Sequence, residues 1–115
     1  MEANLLAKIF KLKPEQIAPI ALGRGGCLST DRIVVEGKRV GYMYREEPHN
    51  ELDSGWRFFA GDEDAGYMSN SQRHGVYDVN TLVNYDPDIF SFLDAAIGSR
   101  FERTGETFRL LGDGE

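Results

Sequence analysis

The sequence predicts an α+β fold: one domain on a mainly antiparallel sheet, with helices at the N-terminal end and one helix near the C-terminus. Three observations carry this expectation. Short β-rich runs bounded by turn residues cluster between residues 32 and 79 and return after residue 99. Helical spacing dominates before residue 22, and a proline-opened helical pattern begins at Asp86. A chain of 115 residues is the size of a single domain that buries about two-thirds of its unfolded surface.

Along residues 4–12, Leu5, Leu6, Ile9 and Phe10 recur at helical spacing with Lys8 and Lys11 opposite, an amphipathic helix that Pro14 closes. Pro14 then opens a second short helix through Ile17. Gly23, Gly25 and Gly26 form a joint. Residues 32–35 and 39–45 read as two strands around a turn at Glu36-Gly37-Lys38, with Val40, Tyr42 and Tyr44 alternating onto one face. Pro48-His49-Asn50 interrupts, and residues 56–60 make a third strand in which Trp56, Phe58 and Ala60 share a face.

Residues 62–72 are polar and glycine-interrupted, a loop or a single helical turn, before a short strand at 76–79. Asp86 caps the clearest helix, Pro87 occupies its first position, and Ile89, Leu93 and Ile97 form its buried stripe up to Gly98. A hairpin of residues 99–104 and 107–111 turns at Thr104-Gly105-Glu106, and the tail from Gly112 is expected to fray. Residues 1–22 read as a helical extension packed on a domain of residues 23–115.

The charge is unevenly placed. Between Glu46 and Asp64 seven acids (Glu46, Glu47, Glu51, Asp53, Asp62, Glu63, Asp64) face Arg57 alone, which accounts for the whole net charge of −6. The other residues balance. Nucleic acid is therefore not an expected partner, since phosphate binding needs a basic stripe, whereas a protein with a basic surface is. No apolar run approaches the ~20 residues of a membrane span. The first residues place Glu2 before Lys8, Lys11 and Lys13, unlike a secretory signal, so a cytoplasmic location is expected.

No catalytic motif emerges, and the chain is not expected to be an enzyme or to hold a cofactor. One cysteine, Cys27, excludes an internal disulfide and reads as a buried strand residue rather than a nucleophile. His49 and His74 lie in polar turns and make no metal-ligand pair with it. The glycines lack the strand-then-helix setting of a phosphate loop. Asp62-x-Asp64-x-Gly66 resembles the start of a calcium loop but lacks the later oxygen ligands.

Trp56, Phe58, Tyr42 and Tyr44 fit the core by alternation, or else an aromatic rim beside the acids. Tyr67 and Met68, directly after the acids, are the best candidates for exposed apolar contacts. Asp78, Asn80 and Asn84 suit either polar contacts or backbone capping, and capping is favoured.

The blocks "GWRFFAGDEDAGYM", "VYDVNTLVNYDPDIFSFLD" and "IGSRFER", in that order over residues 26–110, resemble the bacterial immunity-protein-33-like family. The lead-in "CLSTDRIVVEGKRVGYMYREEP" is similar to that family's opening hairpin. The resemblance implies a small protein that binds and neutralises a toxin, and it implies no catalytic set. The matching positions Trp56, Asp62, Glu63, Asp64 and Tyr67 form the candidate partner-binding surface, with Asp78 and Asn80 as a second wall. A nuclease toxin would offer a basic cleft that an acidic loop fills as a phosphate mimic. The alternatives are a metal-assisted hydrolase using Asp62, Asp64 and Asp78, or a housekeeping interaction domain whose acids only confer solubility.

Overall fold

Alternation along the strands sorts the side chains onto two unlike sheet faces. The computed structural model describes residues 8–112. It contains strands β1 (Gly26–Thr30), β2 (Tyr42–Arg45), β3 (Asp53–Phe59), β4 (His74–Asp78), β5 (Arg100–Thr104) and β6 (Thr107–Leu110). They form one six-stranded sheet in the order β4-β1-β3-β2-β5-β6. β1 runs parallel to β3 and every other neighbouring pair is antiparallel, so the sheet is mixed.

Three short α-helices accompany the sheet: α1 (Asp31–Val34), α2 (Ala65–Met68) and α3 (Val79–Tyr85). Single 3-10 segments occur at Pro14–Gln16, Ser71–Arg73 and Pro87–Phe92. The result is an α+β domain with a few short helices.

One sheet face is the core side. Cys27, Met43, Trp56, Phe58, Phe101 and Phe108 pack there with Val79, Leu82 and Val83 of α3 and with Ile89 and Leu93. Trp56 stacks on Phe58 and donates its indole N–H to the Leu93 carbonyl, 3.1 Å away. Each such large side chain, once buried, contributes about 1.5–3 kcal/mol.

Several expected elements differ. Residues 32–35 are not a strand, because Ile33 and Val34 are both fully buried. A strand would send one of these neighbours to each face, whereas a helical turn turns both inward. Their β-branched propensity yields to that packing. The hairpin expected around Gly37, including the opening hairpin of the resemblance, is therefore absent; the first strand lies earlier, in Gly26–Thr30, and pairs with β3. Val40 precedes β2 and is buried, apart from Tyr42 and Tyr44.

The helix at Asp86 is a 3-10 segment of six residues. Asp86 caps it through the Asp88 N–H and Pro87 sits at its first position, but Ile97 is exposed. The longer helix is α3, just before it, capped by Asp78. β4 ends at Asp78, and Val79 belongs to α3. The hairpin β5–β6 is as expected, with Gly105 at φ +67° in its turn.

Residues 8–12 are not helical, and the rest of the expected first helix lies outside the described residues. This segment and the residues after it are tied to the domain by backbone donors. Lys11 donates its N–H to Val34, Leu12 to the Tyr85 hydroxyl, and Ala18 to Asn84.

Candidate functional site

Among the described residues, the helical core side chains Val79, Leu82, Val83 and Ile89 belong to the first face's cluster, and the opposite face carries a different set. On β2 and β3 it carries Tyr42, Tyr44 and Phe59, whose rings lie 5.7–5.9 Å apart, with Tyr44 and Phe59 stacked at 13°. All three are half-buried. Burial, with Glu46 close by, raises the Tyr44 hydroxyl above its ordinary pKa. The aromatic candidates thus divide: Trp56 and Phe58 are core, while Tyr42 and Tyr44 are a surface rim. Sequence spacing alone groups the four together. Alternation puts Phe59 on the face opposite Phe58, and only the pairing of β2 with β3 shows that Tyr42 and Tyr44 share that face.

Beside the trio Arg57 lies on this open face, only 2% exposed. Its Nη1 and Nη2 donate to the two Asp53 oxygens at 2.9 and 2.8 Å, and its Nε donates to Glu46 at 2.6 Å. The guanidinium holds the Asp53 carboxyl well below the ordinary carboxylate range despite partial burial. A cleft of about 550 Å³ adjoins this cluster. Gly26, Leu28, Val76 and Asp78 line one side, and His49, Asn50, Leu52 and Asp53 the other.

Leu52 and Val76 stand at 80% and 74% exposure on its two walls. Gly25 makes the wall possible: at φ +90° its missing Cβ would sit 2.7 Å from the Leu52 carbonyl oxygen, to which Gly26 donates.

The register splits the acidic segment. β3 runs between its two halves, placing Glu46, Glu47, Glu51 and Asp53 at one end of the sheet and Asp62, Glu63 and Asp64 at the other. Likewise Asp78 pairs with Gly26 and His74 with Thr30, at opposite ends of β1, about 13 Å apart. Asp78 therefore cannot be a second wall for the 62–68 loop. Nor can Asp62, Asp64 and Asp78 share one metal ion. Among the described residues, no three His, Cys, Asp or Glu groups are placed to hold a metal.

The acids of the 62–64 loop are engaged locally. Lys38 donates to Asp62 at 2.7 Å, and Arg32 Nε lies 3.1 Å from its other oxygen. Glu63 accepts from the Thr30 hydroxyl at 2.6 Å and from the N–H groups of Ala60 and Gly61, which together outweigh its burial and lower its pKa. Asp64 caps α2 through the Tyr67 N–H.

The Tyr67 ring lies under the guanidinium of Arg32, 4.5 Å from its centroid, with that of Arg73 at 5.6 Å. Met68 is half-buried, and its carbonyl accepts from His74 Nε2 at 2.9 Å. The charge of Asp62 is thus met by Lys38 and Arg32, which stand well away in sequence.

Trp56, 1% exposed, offers no surface to a partner. Asn80 is buried and accepts from Ile20 and Ala21 N–H through Oδ1, while its Nδ2 donates to Ala18. Both serve the fold. Asp78 keeps an exposed place at the cleft while its Oδ1 caps α3. Cys27 is buried on the core face and donates to the Tyr77 carbonyl; burial, then Asp78, push the thiol far above its ordinary range.

Residues 27–110 match the family model of the immunity protein Imm33 domain. This chain belongs to the Imm33 family. Comparison with characterised proteins and with solved structures gave no match. In this Imm33 domain the matched region spans every strand except the first residue of β1, so Tyr42, Tyr44, Phe59 and the 62–68 loop fall within it, as does the cleft apart from Gly25 and Gly26.

Proposed function

We propose that this Imm33 protein acts without catalysis, binding a toxin through the open sheet face. The single observation that carries the reading is the half-buried trio Tyr42, Tyr44 and Phe59 on the face away from the core, beside the carboxylates of Glu46 and Asp53. Aromatic side chains on a rigid sheet supply contact area at low entropic cost, and the surrounding charge steers and selects the partner. The acids near the cleft outnumber the one cation there, so a toxin with a basic surface fits best. Association then slows as salt rises, because exposed charges are screened beyond about 8 Å at physiological ionic strength.

The 62–64 loop is the second candidate surface. Asp62 and Asp64 are exposed, but each already has a local partner, so the loop has less charge to offer. Affinity capture from the source organism's lysate compares wild type, a Tyr42→Ala/Tyr44→Ala variant and an Asp62→Lys/Asp64→Lys variant, each checked for folding. One stoichiometric partner, toxic when expressed alone, should be kept by wild type and the loop variant and lost by the tyrosine variant. Loss with the loop variant alone moves the surface to residues 62–68. A partner that does not arrest growth when expressed alone removes the toxin reading.

A further inference from the structure

We infer that the cleft between β4 and the 46–53 connection receives one arginine or lysine side chain from the docking protein. This rests on the reading of the open face as a docking surface and deepens it. The walls suit the aliphatic stem of such a side chain: Leu28 lines the cleft, and Leu52 and Val76 stand exposed on either side. The rim suits its charged head. Asp53 and Asp78 line the cleft, and Glu46 binds Arg57, the one arginine or lysine in the lining.

Arg57 does not repel a cation here, because Asp53 and Glu46 already take its three nitrogens. That triad is net negative. The same bonds argue against an anionic occupant, which would have to displace Asp53 or Glu46 from Arg57 and would face Asp78. Asp78 commits Oδ1 to the α3 cap and has Oδ2 available at the cleft. A purely apolar occupant would leave these carboxylates desolvated without compensation, which is costly. A volume of about 550 Å³ lies within the roughly 300–1,000 Å³ of small-ligand sites, enough for one long side chain and the tip of its loop.

The test is an NMR titration of the full chain with N-acetyl-arginine amide, run beside N-acetyl-norleucine amide as the uncharged control. The arginine compound should shift the amides of Gly25, Gly26, Leu52, Val76 and Asp78 and saturate in about the millimolar range expected for so small a ligand. The Asp78→Asn variant should keep the helix cap and bind about fivefold more weakly, the scale of losing an exposed charge contact. Equal shifts from the norleucine compound overturn the cationic occupant, as do largest shifts in residues 62–68. Absence of any saturable shift overturns it too. No toxin enters this titration, so its failure is separate from failure of docking at Tyr42 and Tyr44, which the capture experiment reads.

Discussion

Arg57 holds Asp53, four residues before it on the same strand, in a two-pronged hydrogen bond whose arms measure 2.9 and 2.8 Å. The guanidinium is almost wholly buried and the carboxylate nearly so. Removing one partner of such a pair leaves the other desolvated. Asp53→Asn should therefore cost about 2–3 kcal/mol in urea unfolding, less than a full loss because Glu46 still binds Arg57.

The same pair sets an acid limit. Asp53 is depressed by its hydrogen bonds to Arg57, so its contribution is present above the unfolded carboxyl value of about 3.9 and is lost as pH falls below it. Melting temperature should drop on acidification from about pH 4 downward. The Asp53→Asn variant should show a shallower drop over that interval. Identical slopes for the two proteins would show that other carboxylates set the limit.

Asp86 ties three separate parts of the chain together. It accepts from the Val40 N–H before β2, caps the 3-10 segment at Asp88, and pairs with Arg103 of β5. Asp86→Ala should cost about 3 kcal/mol, because the buried Val40 N–H loses its acceptor and the largely buried Arg103 guanidinium loses one of its two carboxylates, keeping Asp88. Asp86→Asn should recover part of this, since its amide oxygen can still accept but carries no charge. Chemical denaturation followed by Trp56 fluorescence reads both, Trp56 being the chain's only tryptophan and buried.

Gly25 and Gly23 offer a controlled comparison. Both have positive φ, but a Cβ at Gly23 meets nothing within 4 Å, whereas one at Gly25 meets the Leu52 carbonyl. Gly25→Ala should cost about 1–3 kcal/mol and speed hydrogen exchange at Gly26, whose N–H binds that carbonyl. Gly23→Ala should cost about 1 kcal/mol and leave that exchange unchanged. Matching exchange rates in the two variants would mean that the cleft wall does not depend on the close approach.

What could be read from the sequence follows the range of the forces involved. The Asp86-Pro87 start and the Gly105 turn are legible because capping and turn geometry act over two to four residues. So is the shared face of Trp56 and Phe58, given by a period of two along one strand. The α1 turn was not legible: Ile33 and Val34 look β-like until the core that takes both is known. For the site, the spacing of Tyr42 and Tyr44 shows that they share a face but not which one. Phe59 shares their face although its neighbour Phe58 faces the core, and only the pairing of β2 with β3 shows it.

The sequence by itself determined the charge count, the local caps and turns, and the family match carried by residues 27–110. The tertiary structure decided where those charges act. It put β3 through the middle of the acidic run, brought Lys38 and Arg32 to Asp62, and placed Asp78 at the far end of β1 from the 62–68 loop. Hydrogen bonds between strands distant in sequence set that arrangement, and long-range pairing leaves no periodic signal in the chain.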